Sequence, residues 1–192
     1  MKLVFATHNN HKVAEIKPLF PSNINIITLN EIGILDEIPE TGETLKDNAI
    51  IKARVIHDEI RQNCFADDTG LEVDALNGEP GVYSARYAGE GKSASDNIEK
   101  LLFKLKGATS RTAKFKTVIT AIIDDKEYIF EGVVEGEIAE MKIGDKGFGY
   151  DPVFVPKGYE KSFAQMTLEE KNNLSHRSIA VKKFAEFLKE KP

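Results

Sequence analysis

Runs of apolar residues separated by polar connections predict alternating strands and helices in the first part of the chain. A buried strand is predicted over residues 3–5, followed by a polar connection over 7–12 and a short helix over 13–20 that Pro21 ends. A second strand is predicted over residues 25–29. A β-α-β start of this kind favours the α/β class.

The next segment combines a helix signal with an unusual strand. Thr44 and Asp47 form a capping-box pattern, and apolar residues recur at helical spacing from there to about Gln62. Residues 64–66 then predict a short strand that runs into Asp67-Asp68-Thr69-Gly70, and residues 71–73 predict another. Residues 77–91 are rich in glycine and predict turns and loops.

The second half of the chain predicts a long hairpin and further helices. The elements are a helix opened by Ser95, strands over 113–123 and 128–134 joined by a turn at 124–126, a glycine-rich loop over 144–150, and a terminal helix over 179–188. Thr167 and Glu170 fit a second capping box. The pattern favours a mixed sheet with flanking helices, in which the second half could form a separate lobe.

Composition narrows the class of protein. The 192 residues include 26 basic and 31 acidic side chains, a net charge of −5, with 41% apolar residues, which is an ordinary globular balance. The single cysteine cannot form an internal disulfide, which fits a reducing cytoplasm. We expect no nucleic-acid partner, because the chain lacks a basic footprint, and no membrane association, because no apolar stretch is long enough to span a bilayer.

The first polar segment that could carry chemistry lies between the first strand and the first helix. It reads Thr7-His8-Asn9-Asn10-His11-Lys12. Backbone N–H groups at a helix N-terminus attract an anion, and Lys12 adds a positive charge. A plain polar turn with a helix cap is the alternative, and His8 and His11 are interpreted as two solvated histidines.

The second and third segments contain acids. Glu40 lies in a loop, and Lys52 shares a helix face with Asn48. Asp67 and Asp68 directly follow an apolar strand, where α/β proteins often bind ligands. Two carboxylates there can hold Mg²⁺, or one can accept a proton from an attacking water. An Asx-turn would explain the same residues without any function.

Two later segments carry an exposed ring and a group of donors. Gly147-Phe148-Gly149-Tyr150-Asp151 places an aromatic ring between glycines, where a base can stack, and Asp151 could accept from ring N–H groups. Lys171, His176 and Arg177 supply donors, and Lys and Arg can donate to a carbonyl oxygen but cannot accept from an amino group. The alternatives are a tight turn with a buried Phe and a basic helix end facing solvent.

Taken together, these segments resemble the pyrophosphatases of noncanonical purine nucleoside triphosphates, the inosine/xanthosine triphosphatase or Ham1-like family. The resemblance runs from about Lys2 to Leu188. Its motifs follow the family's order: Thr7-x-Asn9-x-x-Lys12, Glu40-Thr41-Gly42-x-Thr44, Asn48-Ala49-x-x-Lys52, Ala66-Asp67-Asp68-Thr69-Gly70-Leu71 with Pro80 to Tyr87, Phe148-Gly149-Tyr150-Asp151-Pro152, and Glu170-Lys171 with Ser175-His176-Arg177.

The resemblance implies a fold and an activity. The fold is a single domain over residues 1–192, with an elongated mixed sheet, flanking helices and two lobes around a central cleft. The protein is expected to be a cytoplasmic homodimer that hydrolyses ITP, dITP and XTP to the monophosphate and pyrophosphate with Mg²⁺. This activity removes deaminated purines from the nucleotide pool.

The resemblance also assigns roles to individual residues. Asp68 is the proton acceptor, and Glu40, Asp68 and the nearby Asp67 bind Mg²⁺. The residues that hold the triphosphate are Thr7, His8, Asn9, Asn10, His11, Lys12 and Lys52. The residues that surround the base are Phe148, Gly149, Tyr150, Asp151, Lys171, His176 and Arg177. Thr69 also contacts the substrate.

The sequence departs from the family pattern at two positions and leaves two other functions open. Thr69 stands where Ser is usual and keeps the hydroxyl, whereas Asp47 stands where Glu is common. One alternative is a Maf-like pyrophosphatase that acts on modified or pyrimidine nucleotides. The other is a nucleotide-binding module without catalysis.

Overall fold

The computed structural model of the protein describes residues 1–91 and 93–190. In chain order the strands and helices are β1 (Lys2–Phe5), α1 (Asn10–Ile16), β2 (Asn25–Thr28), α2 (Leu45–Ile60), β3 (Cys64–Val73), α3 (Ala94–Lys104), β4 (Thr112–Ile123), β5 (Lys126–Ile138), β6 (Phe154–Pro156), α4 (Leu168–Leu174) and α5 (His176–Glu190). Short 3-10 helices lie between them at Lys17–Leu19, Asn30–Ile32, Asp74–Leu76, Gly81–Arg86 and Phe163–Gln165.

The strands form one mixed sheet in the order β2-β1-β3-β4-β5-β6. β1 pairs in parallel with β2, where Lys2 lies opposite Asn25, and with β3, where Phe5 lies opposite Phe65. β5 and β6 are antiparallel. This architecture confirms the α/β class and the mixed sheet with flanking helices.

The chain forms two compact units, and neither is a continuous half of the sequence. The first unit contains Met1–Asp68, Thr117–Gly132 and the chain from Arg177 onward. The second contains Thr69–Lys116 and Val133–His176. Because β3, β4 and β5 each contribute residues to both units, no single boundary in the sequence separates them.

In the first unit, strand alternation directs successive side chains to two different cores. One core joins β1 and β3 to α1 and α5, and Phe5 and Phe65 stack there with ring centroids 4.4 Å apart. The other core lies on α2 and includes Val4, Ala66 and the helix residue Ile56. The same alternation decides where the polar residues of β3 point.

The second unit has its own core. Ile98 and Leu101 of α3, and Leu105 directly after it, are buried with strand residues that include Leu71 and Phe115. The Phe115 ring packs edge-on against Phe154, with centroids 4.7 Å apart. The buried Ala164 is bonded to the loop that carries Asp151: its N–H donates to the Asp151 carbonyl oxygen at 3.2 Å, and its carbonyl oxygen accepts from the Lys146 N–H at 3.0 Å.

Several predicted boundaries need correction. α1 begins at Asn10 rather than at residue 13, because the Asn9 side chain caps it. Ser93, not Ser95, caps α3. The loop predicted over 77–91 contains a 3-10 helix, and β6 was not predicted because three residues carry too little periodic signal. No helix in the described part of the chain is long and apolar enough to cross a membrane.

Candidate active site

Asp67 and Asp68 lie inside a strand, so the prediction that they follow the end of one is wrong. β3 is continuous from Cys64 to Val73, although Asp and Gly are poor strand formers. Both aspartates are buried, and each side chain forms ion pairs with lysine or arginine. These tertiary contacts, together with pairing in the sheet, override the local turn preference, and the Asx-turn interpretation fails with it.

Asp67 points to the side of β3 that faces α1 and α5. Its Oδ1 accepts from Lys12 Nζ at 2.8 Å, and its Oδ2 lies 3.4 Å from Arg177 Nε. Arg177 is almost fully buried and also pairs with the buried Glu15 of α1. Burial opposes ionisation of Asp67, but Lys12 and Arg177 outweigh it and hold the pKa of this carboxyl well below its usual range.

Asp68, the next residue, points to the side of α2. Its Oδ1 accepts from Lys52 Nζ at 3.2 Å, and the same ammonium group donates to Glu40 Oε1 at 2.6 Å. Burial raises the pKa of Asp68 despite the nearby lysines. Burial disfavours the charge of Lys52, yet the surrounding carboxylates, Asp68 first among them, keep the pKa of Lys52 above its ordinary value.

Asn48 connects Asp68 to the loop that carries Glu40. Its amide nitrogen donates to Asp68 Oδ2 at 3.2 Å, and its amide oxygen accepts from the Gly42 backbone N–H at 2.7 Å. A Cβ at Gly42 would lie only 2.8 Å from that amide oxygen, so the loop approaches α2 too closely for any larger residue. Asn48 is fully buried and therefore fixes both groups.

The segment from Thr7 to Lys12 is mostly the capped start of α1. The Asn9 side chain accepts from the backbone N–H groups of His11 and Lys12 at 3.0 and 3.2 Å, while Asn10 and His11 are exposed. The Thr7 hydroxyl accepts from the Asn9 N–H at 3.1 Å. His8 has its ring nitrogens 3.1 Å from Asn30 Oδ1 and 3.0 Å from the Asp36 carbonyl oxygen. Lys12 reaches Asp67 from this segment.

The donor set beside Lys52 fits Mg²⁺, which prefers hard oxygen ligands and is usually bound by one or two carboxylates plus substrate phosphates. Glu40 and Asp68 are such carboxylates, brought to one ammonium group. Asp67 has both oxygens directed at cations on the opposite side of β3. In residues 1–91 and 93–190, no three acidic, histidine or cysteine side chains converge as a complete metal site.

The second unit contains a separate group of predicted residues. Asp151 and Lys171 form a buried ion pair with 2.5 Å between Oδ2 and Nζ. The ammonium of Lys171 lies 5.2 Å from the centroid of the Phe148 ring. His176 is buried, and its ring stacks on Phe115 at 4.5 Å.

Other residues predicted to contact substrate have structural partners in the second unit. The hydroxyl of the buried Tyr150 donates to the Ser84 carbonyl oxygen at 2.9 Å, and burial raises the pKa of Tyr150. Gly149 adopts a left-handed conformation in the same turn. Thr69 is half-buried in β3.

The structure thus groups most of the predicted residues into two clusters. The first cluster lies in the first unit and contains Lys12, Glu40, Lys52, Asp67, Asp68 and Arg177. The second cluster lies in the second unit and contains Phe148, Asp151, Lys171 and His176. From the sequence, Asn48 was placed on the same helix face as Lys52 but no role was predicted for it, and Glu15 was not identified. No local signal exists for Glu15, because its partner Arg177 lies 162 residues away.

The fold and the first cluster define an α/β protein whose lysines can hold phosphate groups and whose carboxylates can hold a cation. A family model described as the Ham1 family matches residues 3–187. The chain therefore belongs to the Ham1 family. Membership favours the family predicted from the sequence motifs over the Maf-like alternative.

Individual relatives agree along the whole chain. A protein from Flavobacterium johnsoniae named dITP/XTP pyrophosphatase is 53% identical, covering 98% of this chain and 98% of its own. A protein of the same name from Christiangramia forsetii is 54% identical, covering 98% of this chain and 99% of its own. The solved structure of the Staphylococcus aureus Ham1 protein matches with a TM-score of 0.90 at 43% identity, and all of both chains is covered.

Proposed function

We propose that this protein hydrolyses noncanonical purine nucleoside triphosphates, ITP, dITP and XTP, to the monophosphate and pyrophosphate. The observation that carries the proposal is the cluster in which Glu40 and Asp68 share Lys52, in a chain whose relatives are named dITP/XTP pyrophosphatase. Asp68 is buried and basic enough to accept a proton, and two lysines lie within the same unit to hold phosphate charge.

The residues of the first cluster have different roles in the reaction. Lys12 and Lys52 bind the triphosphate, while Asp68 accepts the proton of the water that attacks the α-phosphorus. The raised pKa of Asp68 makes it a better base than an exposed aspartate. Glu40 and Asp68 would hold Mg²⁺, which offsets negative charge on the phosphates and on the leaving pyrophosphate.

The residues of the second cluster bind the base. The Phe148 ring offers a stacking surface, and the Lys171 ammonium offers a donor to the oxygen at position 6 of hypoxanthine or xanthine. Adenine presents an amino group at that position, so the Lys171 ammonium would face another hydrogen-bond donor. A buried mispairing of that kind costs roughly 1–3 kcal/mol, or about ten- to a hundredfold in rate.

A substrate panel tests the proposal. With Mg²⁺, purified protein is expected to convert ITP, dITP and XTP to monophosphate and pyrophosphate far faster than ATP. EDTA is expected to stop turnover, and added Mg²⁺ to restore it. Release of single phosphates, or a preference for dTTP or UTP, would contradict the proposal. Binding without turnover would favour a nucleotide-binding module instead.

The assembly and location expected from the family complete the proposal. We propose a homodimer in the cytoplasm. Light scattering coupled to gel filtration measures the mass of the assembly, and the expected result is near twice 21.4 kDa. Fractionation of cells that produce the protein measures its location.

A further inference from the structure

The turn from Gly147 to Asp151 is folded around one carboxylate oxygen. Asp151 is buried, and its Oδ2 accepts from the Phe148 backbone N–H at 2.8 Å and from Lys171 Nζ at 2.5 Å. Gly147 has a left-handed φ of 73°, and a Cβ there would lie 2.1 Å from the same Oδ2. The glycine is therefore required by the approach of the carboxylate as well as by the backbone conformation.

One side chain thus fixes both groups that the proposed function assigns to the base. The bond to the Phe148 N–H sets the backbone that carries the stacking ring. The ion pair fixes the Lys171 ammonium, which lies 5.2 Å from the Phe148 centroid and 5.3 Å from the Phe163 centroid. Both groups therefore depend on the same carboxylate oxygen, Oδ2 of Asp151.

We propose that Asp151 is a positioning residue that sets the preference for oxo-purines through Lys171, without itself contacting the base. This inference rests on the proposed function. A lysine has a long flexible stem, and an unrestrained ammonium would move away from an adenine amino group. A donor discriminates only if it stays in place when the wrong base enters, because only then is the mismatched group left unpaired. The carboxylate supplies that restraint.

A double-mutant cycle tests the inference through the ratio of kcat/KM for ITP to that for ATP. Asp151→Asn removes the charge with little change in shape, and Lys171→Met removes the donor while keeping the length. We expect each single variant to lower the ratio about tenfold, mainly through KM for ITP, and the double variant to match Lys171→Met. An unchanged ratio in Asp151→Asn would overturn the inference. Losses that multiply in the double variant would also overturn it, because they would mean that Asp151 contacts the base independently of Lys171.

Two glycine substitutions test the same inference if the Asp151 variant fails to fold. Gly147→Ala displaces Asp151 while leaving both charges in the protein, and we expect it to lower the same ratio. Gly158→Ala imposes a similar backbone strain, at φ 85°, in a place where nothing lies within 4 Å. Its ratio should equal that of the wild type. Equal ratios in both alanine variants would count against the inference.

The wild-type measurement separates this inference from the proposed function. If the wild-type protein releases no pyrophosphate from ITP, the proposed function fails. If it does so with a preference for ITP over ATP that the Asp151 and Gly147 variants retain, only the positioning role fails.

Discussion

Two neighbouring acids have different partners because a strand turns successive side chains to opposite faces. Asp67 meets Lys12 and Arg177, whereas Asp68 meets Lys52 and Asn48. The pKa of Asp67 is lowered and that of Asp68 is raised, although both are buried. Adjacent residues of one type therefore differ in chemistry: the neighbouring cations favour the ionised form of Asp67, whereas burial favours the protonated form of Asp68.

Replacing Asp68 tests its role as the base. Asp68→Asn is expected to lower kcat for ITP by about 10²–10⁴-fold, because the amide cannot accept the proton of the attacking water. Pyrophosphate release measures the rate, and circular dichroism checks the fold. Asp125→Asn, in the exposed turn between β4 and β5, is the matched control with wild-type turnover expected. Wild-type turnover in Asp68→Asn would eliminate the proposed base.

Asn48 is expected to affect both turnover and stability. Asn48→Ala leaves the Gly42 N–H without its acceptor and Asp68 without its amide donor. We expect a loss of about 1–3 kcal/mol in the free energy of unfolding, together with a lower kcat for ITP. Urea denaturation and steady-state kinetics provide the two measurements.

A second buried asparagine provides the control for Asn48. Asn97 of α3 is buried, and its amide oxygen accepts from the Ala88 N–H at 2.6 Å. Asn97→Ala should lose a similar amount of stability while kcat stays unchanged. If both variants lose turnover equally, Asn48 acts through stability alone.

Among the elements, the starts of α2 and α4 were predicted correctly, whereas the course of β3 was not. The capping boxes at Thr44 and Thr167 are both present, since each needs only contacts within four residues. β3 was predicted as two short strands around a turn, because Asp and Gly favour turns locally. Its continuity depends on neighbouring strands and on cations from α1, α2 and α5.

The start of α3 gives a prediction at the scale of an element. Ser93 accepts from the Asp96 N–H at 3.3 Å and is the cap, whereas Ser95 lies inside the helix. Ser93→Ala is expected to lower the free energy of unfolding by about 1 kcal/mol. Ser95→Ala, at the position that the sequence pattern indicated, should change it by less than about 0.5 kcal/mol. The reverse order in urea denaturation would show that Ser95 is the cap.

For the whole molecule, the buried charges link stability to pH. Because the pKa of Asp67 is lower in the folded protein than its ordinary value near 4, the unfolded chain binds a proton first as pH falls. The stabilisation from Asp67 is therefore complete above about pH 5 and is lost progressively as pH falls below about 4 towards the lowered pKa.

Comparison with a neutral variant isolates this contribution. Asp67→Asn is expected to be less stable than the wild type by about 3–5 kcal/mol at neutral pH, because it leaves buried cations uncompensated. The difference should shrink as pH falls from 5 to 3, measured by urea denaturation at each pH. Other carboxylates titrate in both proteins and cancel. A difference independent of pH would contradict the lowered pKa.

The sequence by itself determined the α/β class, most of the elements, the helix caps at Thr44 and Thr167, and the motifs shared with the Ham1 family. These depend on periodicity, on contacts within a few residues, and on motif order. It also indicated which acids, lysines and aromatic residues to consider.

Only the tertiary structure decided what those residues contact. The separation of Asp67 from Asp68, the pairing of Arg177 with Glu15, and the pairing of Asp151 with Lys171 each depend on residues that lie far apart in the chain or on opposite faces of a strand. Local sequence cannot specify these contacts, because burial and the partners that compensate it arise only when the sheet and helices pack together.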